Sequence, residues 1–457
     1  MSRTRLLGLA AALIAVGLSA VPASASRQDS WLGHSFMWHL SDVVAYPHRA
    51  VQDDWQNEAI AIFVPRNTTS GAPPDERGTP VYDGFDYLQG TVTFGSDNWS
   101  LIFAGNEQRG YNPVKAIGTH ERMPAEYLVN PLHEIFTTYG LELTGVDYDP
   151  NLRMQVGGAV SLSSLDLGLF VSNANSQWTN ETTVGSNPTD KVGQEASYTS
   201  FTASAGFPNL ASFRSFELAA SITKGSQEVF GLATDPDVGS GDNSAFAVNG
   251  QVHFDTEWLG FVPALNATFG TCKADWSEAA DSTETTPTPS MEIKGTVFRA
   301  EFGGTRMWTN GSKVAASLGF QADKLEEDFS SGGDPQSTDS FNDKYNTFPF
   351  CSLAGEYWVR PWFGLDWGTQ FSFEGSEFEQ IFRDTDGTVT AQGVEKHNEL
   401  YKQLGAGVVF RVKRDDWTAD FAATLRNDYL GNPGSVLQGK TSTDGNPIIA
   451  TEARLSW

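Results

Sequence analysis

The clearest pattern along the chain is the alternation of apolar and polar residues in the stretch FGLDWGTQFSFE, residues 363–374. Large apolar side chains occupy every second position and are interrupted only by Thr369. Because side chains alternate across a β-strand, one face of this strand is apolar and the other is small, polar or charged. Its twelve residues exceed the usual strand of about 5–6 residues and match the roughly 9–11 that a tilted strand needs to cross a membrane. The stretch therefore predicts a membrane-spanning β-strand.

The same alternation recurs along most of the chain and predicts an all-β protein of about 16 strands, within a range of 14 to 18. Residues 59–64 form an additional short strand candidate ahead of this set. The predicted strands are residues 85–95, 99–105, 134–145, 152–161, 165–172, 196–206, 216–223, 245–254, 261–270, 294–303, 314–323, 348–359, 363–374, 403–412, 417–426 and 448–457.

The connections between these strands alternate between long and short from the C-terminus back to residue 173. For example, residues 427–447 and 375–402 are long connections, whereas residues 413–416 and 360–362 are short. Several long connections are acidic, above all residues 324–347. Long loops at one end and tight turns at the other are typical of a transmembrane up-and-down antiparallel β-barrel. Only residues 107–133 break the rule, because they would form a long link at the short-turn end.

The final strand gives the most specific resemblance in the sequence. Ile449, Thr451, Ala453, Leu455 and Trp457 share one face, and the chain stops on the aromatic residue. This resembles the C-terminal signal of bacterial outer-membrane β-barrels, including the porins, with Trp where Phe is commonest. The resemblance implies insertion into the outer membrane, recognition of Ile449 to Trp457 by the barrel-assembly machinery, and contact with outer-membrane lipid and lipopolysaccharide.

Tryptophan residues cluster in or beside the short turns. Since tryptophan prefers the membrane interface, where its ring is half wet, this arrangement predicts an aromatic girdle on the periplasmic side. The predicted girdle consists of Trp258, Trp308, Trp358, Trp362, Trp417 and Trp457.

The N-terminal region divides into two predicted parts ahead of the barrel. Residues 1–25 combine Arg3 and Arg5 with an apolar run and a small-residue site, which predicts a signal peptide for export. Residues 26–84 are largely irregular and predict a periplasmic or plug segment, so that the barrel would cover residues 85–457. Asp42 followed by Tyr46-Pro47 resembles, more weakly, the N-terminal plug of fatty-acid-type outer-membrane transporters.

Charge and motifs narrow the function. The whole chain has a formal charge of −26, and removal of Arg3 and Arg5 with the signal peptide leaves −28. Nucleic acid is not expected as a partner because phosphate binding requires positive charge. The seven His residues form no short-range metal pattern, and no Gly-x-Ser-x-Gly elbow occurs. We therefore expect neither an enzyme nor a cofactor.

Charged residues within the strands fall on the face opposite the apolar one. A dry core would not tolerate so many charges, so the interior is expected to be wet or densely salt-bridged. Seven acids against three arginines predict a mild cation preference. The predicted lumen-lining residues are Glu217, His253, Arg299, Glu301, Asp323, Glu356, Asp366, Gln370, Glu374, Arg411, Asp420 and Arg426.

Two further features concern the loops and the cysteines. Asp384, Asp386 and Glu395 have the spacing of the first, third and twelfth ligands of a calcium loop, which makes them a candidate cation site, with a solvated turn as the alternative. Cys272 and Cys351 would lie three strands apart, roughly 14 Å, which predicts no disulfide.

The sequence leaves three functions open. The first is an outer-membrane channel for passive diffusion of small solutes with mild cation preference. The second is a fatty-acid-type transporter of hydrophobic molecules with an N-terminal plug. The third is a closed barrel that acts as a surface anchor or adhesin.

Overall fold

The computed structural model describes the chain in segments. These are residues 31, 34–52, 56–64, 87–96, 98–108, 151–184, 187–210, 212–230, 239–278, 290–330, 338–427 and 448–457. The predicted signal peptide lies outside the described residues.

Sixteen antiparallel strands form one closed barrel in which sequence neighbours pair. The last strand pairs with the first, with Glu58 opposite Ser456 and Phe63 opposite Thr451. This confirms the predicted fold class. The strands are β1 Glu58–Val64, β2 Tyr87–Ser96, β3 Trp99–Gln108, β4 Asn151–Leu162, β5 Leu165–Val184, β6 Asn187–Pro208, β7 Phe213–Phe230, β8 Gly239–Phe254, β9 Val262–Glu278, β10 Ser290–Met307, β11 Lys313–Ser330, β12 Thr338–Arg360, β13 Phe363–Arg383, β14 Val389–Lys413, β15 Thr418–Asn427 and β16 Ile448–Ser456.

The two faces of the wall differ as the alternation predicts. On β13, Phe371 is 46% exposed on the outer surface, whereas Asp366 is 1% exposed on the inner one. On β15, Phe421 is 43% exposed and Asp420 is 4% exposed. Large apolar side chains thus cover the outside of the barrel and polar ones line its lumen, which is the arrangement of a transmembrane barrel.

Several strands extend well past the predicted boundaries. The strands β12, β13 and β14 have 23, 21 and 25 residues, about twice what a tilted strand needs to cross a bilayer. Much of the predicted long loops, including parts of residues 324–347 and 375–402, is therefore paired strand. The sequence missed these extensions because a hairpin outside the bilayer needs no apolar face.

The N-terminal third differs from the prediction in three ways. The candidate at residues 59–64 is the barrel strand β1, so the barrel begins at Glu58 and not at residue 85. The predicted strand at residues 134–145 lies outside the described residues. Finally, β2 and β3 are joined by a tight turn at the short-turn end of the barrel. The connection from Gln108 to Asn151, which pair with each other, therefore lies at the opposite end, together with the long hairpins. The expected exception to the loop alternation therefore disappears.

Two smaller observations concern the cysteines and the helices. Cys272 and Cys351 are both free, which confirms that they form no disulfide. Among the described residues, no helix is long and apolar enough to cross a membrane.

Candidate functional site in the barrel lumen

The N-terminal residues 31 and 34–52 lie inside the barrel, and we call them the lumen segment. It contains two short 3₁₀ helices, Leu40–Val44 and Pro47–Val51, and Pro47 opens the second, a position where its missing N–H costs no hydrogen bond. Apolar side chains of both helices pack against Ile60, Ile102 and Phe170 of the wall. The segment therefore has a small hydrophobic core of its own with β1, β3 and β5.

Large rings at the start of the lumen segment pack against small residues of the opposite wall. Trp31, Phe36 and Met37 form a second buried cluster whose wall members are Ala264, Ala315 and Ala354. A Cβ placed on Gly303 would lie 2.7 Å from the Phe36 ring, which is closer than atoms can approach. The small residues of β9 to β12 thus make the space that the segment fills.

Arg49 is a buried residue of the lumen segment that contacts two polar side chains of the wall. Its Nε donates a 2.7 Å hydrogen bond to Glu217 Oε2, and a terminal nitrogen donates a 3.1 Å bond to Gln251 Oε1. Its guanidinium also lies 3.1 Å from the centroid of the Trp38 ring. Arg49 and Glu217 are 4% and 5% exposed, and breaking such a buried pair by removing one partner costs about 3–5 kcal/mol.

Other polar contacts attach the lumen segment at separate points of the wall. His39 Nε2 lies 2.9 Å from Glu452 Oε2 on β16. The backbone N–H of His48 donates a 2.9 Å bond to Ser204 on β6, and the Ser35 hydroxyl donates a 2.6 Å bond to Glu301 on β10. Because these points lie far apart around the barrel, the contacts fix both the position and the rotation of the segment.

The lumen segment lies at the short-turn end of the barrel. Its wall partners Ser204, Glu217, Gln251 and Glu452 all lie three or four residues from the short-turn ends of their strands, roughly 10–13 Å along a strand. Its described contacts reach β1, β3 to β12 and β16. A barrel of sixteen strands without such a filling leaves a wide aqueous channel, so the segment narrows the lumen at this end.

Burial changes the chemistry of His34 in the lumen segment. Removal from water lowers the pKa of His34 from 6.5 to about 4, while Glu301 opposes this shift and Arg299 adds to it. The buried site therefore holds the neutral imidazole at neutral pH. Acidification adds a charge that this site disfavours.

The predicted lumen-lining residues lie on the inner face where their side chains are described. His253 is half-buried and its ring lies 6.4 Å from the Phe36 ring of the lumen segment, and Glu374 and Arg411 are also half-buried. The side chain of Arg426 is not among those described. The buried members are Glu217, Arg299, Glu301, Asp323, Glu356, Asp366, Gln370 and Asp420.

Many charges of the lumen wall are paired with each other. Arg411 binds Asp420 through two hydrogen bonds of 2.7 Å. Arg299 Nε donates a 2.5 Å bond to Glu301, and its guanidinium lies 4.6 Å from the Phe350 ring centroid. Such bidentate and stacked pairs account for how the inner wall holds buried charge.

One member of the predicted tryptophan girdle faces the lumen. Trp358 is 5% exposed and packs against Val409 and Ala422, with the Arg411 guanidinium 3.9 Å from its ring centroid. The alternation that places Glu356 inside also places Trp358 inside, so the prediction for Trp358 was wrong. Trp258, Trp308 and Trp362 are exposed on the outer surface, and Trp417 and Trp457 are half-buried.

The candidate calcium loop does not form a site. Asp384 and Asp386 lie in the turn between β13 and β14, where both bind backbone N–H groups. Glu395 lies on β14, where it pairs with Phe378 of β13. It is six residues, or about 20 Å, from the start of β14 at the turn, and its side chain contacts His397. No three metal-binding side chains come together in the part of the chain that the structure describes. The turn therefore does not bring the three carboxylates together as one set of ligands.

Sequence reasoning missed the side chains that hold the lumen segment. His34, His39, His48 and Arg49 precede the first strand and follow no periodic pattern. The available signal was the density of aromatic, histidine and arginine residues between Trp31 and Arg49, which is unusual for a solvated linker.

Comparison with known proteins finds no family for the chain and only distant similarity to solved structures. No family model and no curated protein matches the chain. Among solved structures, the translocator domain of autotransporter NalP from Neisseria meningitidis is 11% identical, with a TM-score of 0.29 over 65% of this chain and 89% of that one. The siderophore receptor PirA from Acinetobacter baumannii is 7% identical and has a TM-score of 0.36, and the match covers 87% of this chain and 73% of that one. CdiB from Escherichia coli is 10% identical and has a TM-score of 0.36, and the match covers 88% of this chain and 62% of that one.

The class of the protein follows from its own structure. In a closed antiparallel barrel of this kind, the apolar outer face can contact the lipid of a bilayer while the polar, charged lumen contacts water. The chain has the fold of an outer-membrane β-barrel, and this fold points to the bacterial outer membrane.

Proposed function

We propose that the protein is an outer-membrane transporter for small polar solutes whose lumen segment closes the route at the short-turn end. The observation that carries this proposal is the buried contact of Arg49 with Glu217 and Gln251 inside the barrel. Passage then requires displacement of the lumen segment. This favours a plugged barrel over a permanently open diffusion channel, which was the first of the three functions that the sequence left open.

The chemistry of the wall bears on the solute class. Beyond the lumen segment, the inner face carries Thr268, Gln321, Asp323 and Gln370 in buried positions, which suit polar solutes better than the hydrophobic molecules of fatty-acid-type transporters. The excess of carboxylates over arginines on this face favours cations. We therefore expect a cation-preferring pathway once the segment is displaced.

Planar-bilayer recordings test the proposal. The full-length protein should be almost silent, and a variant that lacks residues 27–54 should give conductance steps with cation-over-anion selectivity. The deletion keeps Asn57, whose carbonyl accepts a hydrogen bond from the Trp457 N–H, so the seam between β1 and β16 is preserved. Silence of both proteins would contradict transport and favour the surface anchor or adhesin. Equal conductance of both would restore the open channel.

Export and assembly belong to the same proposal. Residues 1–25 would direct export, and Ile449 to Trp457 would be recognised by the barrel-assembly machinery. The β16 seam supports the second point, since Trp457 packs near Ala59 and Leu455 at the closing strand pair. Removal of Trp457 should reduce the amount of folded barrel in the outer membrane, and an unchanged amount would contradict this role.

A further inference from the structure

Six consecutive strands carry an exposed or half-exposed phenylalanine at the upper edge of the outer apolar surface, toward the long hairpins. On β13, the apolar positions run from Phe363 to Phe373, which is roughly 33 Å along the strand and about 25 Å in height at the usual tilt. That height matches the apolar band of a membrane barrel. The phenylalanines are Phe246, Phe269, Phe298, Phe320, Phe348 and Phe373.

A charged residue follows four positions beyond this edge on each strand from β8 to β14, where Leu400 replaces the phenylalanine on β14. Four residues keep the side chain on the same outer face and place it about 13 Å further along the strand. The residue between is small or polar in every case. The charged residues are Asp242, Lys273, Lys294, Lys324, Lys344, Glu377 and Lys396.

The frequency of lysine at this level is higher than the composition of the chain would predict. The chain has 56 acidic and 30 basic residues, yet five of these seven positions are lysine. The side chains of Lys273, Lys294 and Lys324 are 48%, 47% and 45% exposed. We call Lys273, Lys294, Lys324, Lys344 and Lys396 the lysine belt.

Carboxylates hold the lysine belt in place without covering it. Lys273 contacts Asp275 and Glu292 at 3.0 Å each, and Lys294 contacts Glu292 at 2.6 Å. Glu377 similarly lies between Lys344 and Lys396, at 3.2 Å and 2.5 Å. These contacts orient the ammonium groups on the outer surface at a fixed height above the apolar band.

We propose that the lysine belt binds the phosphate groups of the phosphorylated glycolipid in the outer leaflet, while the acyl chains of that lipid pack against the phenylalanine edge. An ammonium attracts phosphate, and a long lysine stem reaches the headgroup level from an apolar surface. The belt follows the edge of the apolar band along the same strands and on the same outer face, which favours a lipid over free phosphate. The inference rests on the placement in the membrane and not on the lumen segment, so the two proposals can fail separately.

The test compares lipid binding by matched variants. The full chain in detergent is titrated with phosphorylated lipid A and, separately, with lipid A from which the phosphates have been removed. K273Q/K294Q/K324Q removes three belt charges, and R360Q/K413Q/R414Q removes three exposed charges at the short-turn end. Since exposed ion pairs each add modestly to affinity, we expect the loss of three of them to make the belt variant bind phosphorylated lipid A about tenfold more weakly.

Four outcomes decide the proposal. It is supported if the unmodified protein prefers the phosphorylated lipid, the belt variant binds that lipid more weakly while the control variant binds it as before, and inorganic phosphate at equal concentration does not displace the lipid. Unchanged binding by a folded belt variant would overturn it. Displacement by inorganic phosphate would identify a site for free phosphate and would overturn the proposal of a lipid site. Equal binding of both lipids by the unmodified protein would also overturn it, and this comparison stands even if the triple variant does not fold.

Discussion

Arg49 shows at the residue scale how one side chain can hold a segment inside a barrel. It combines a buried carboxylate partner, Glu217, with an amide partner, Gln251, and with the Trp38 ring. An arginine suits this place because its planar group binds a carboxylate along its edge and stacks an aromatic ring on its face. The contact is therefore specific in direction as well as in charge.

Replacement of Arg49 should release the lumen segment. R49Q leaves the Glu217 carboxylate buried without its guanidinium, which should weaken docking by about 3 kcal/mol. We expect channel openings in bilayer recordings of R49Q, and fewer in R49Q/E217Q, which has no uncompensated carboxylate. R414Q, at an exposed turn residue, is the matched control. Openings as rare in R49Q as in the unmodified protein would show that Arg49 does not hold the segment.

His34 predicts that docking depends on pH. Its pKa is about 4 when docked and about 6.5 when free in water. The docked state is therefore favoured fully above pH 6.5, and this preference is lost as pH falls toward 4, because the released segment binds a proton more readily. At pH 5 the linkage from His34 alone shifts the equilibrium toward release by about 30-fold.

The measurement is open probability against pH. The rise between pH 7 and pH 5 should be smaller in H34Q than in the unmodified protein. H397Q, which changes an exposed histidine beside Glu395 on a long hairpin, should keep the full rise. An identical profile for H34Q and the unmodified protein would exclude His34 as the sensitive group.

At the scale of elements, the strands were largely predictable within the bilayer and not outside it. The part of β13 that crosses the bilayer was recognisable in the sequence because its lipid-facing side chains must be apolar. Beyond Phe373 the strand does not contact lipid, so the extensions of β12 to β14 are held by cross-strand pairing, by ion pairs such as Lys344 with Glu377, and by ring contacts such as Tyr345 with Phe378. The same reasoning accounts for the lysine belt, which is visible only when residues are counted from the edge of the apolar band.

Trp358 and Trp362 give an element-scale prediction because they differ in the face they occupy. Trp358 is buried in the lumen wall, whereas Trp362 is 58% exposed on the outside. W358A should leave a cavity beside Val409 and lower the free energy of unfolding by about 3–5 kcal/mol. W362A should cost much less, since lipid fills the space. Thermal unfolding of both variants checks this, and equal losses would contradict the inward orientation of Trp358.

For the whole molecule, the barrel was predictable from repetition and the lumen segment was not. Sixteen copies of one alternating pattern leave few folds open. The lumen segment instead has irregular structure and partners distant in sequence, since Ser35 and Glu301 are 266 positions apart. No local period encodes such a contact, so the sequence left plugged and open barrels as alternatives.

If the lumen segment closes the barrel from inside, a reversible cross-link between the segment and the wall should lock the barrel shut. In a C272S/C351S background, S35C and Q251C place two thiols where the Ser35 carbonyl now accepts a 3.2 Å hydrogen bond from Gln251. A short, reducible dithiol cross-linker between them should abolish all openings at pH 5, and reductant should restore them. Openings that persist in the cross-linked protein would show that the lumen segment does not close the barrel.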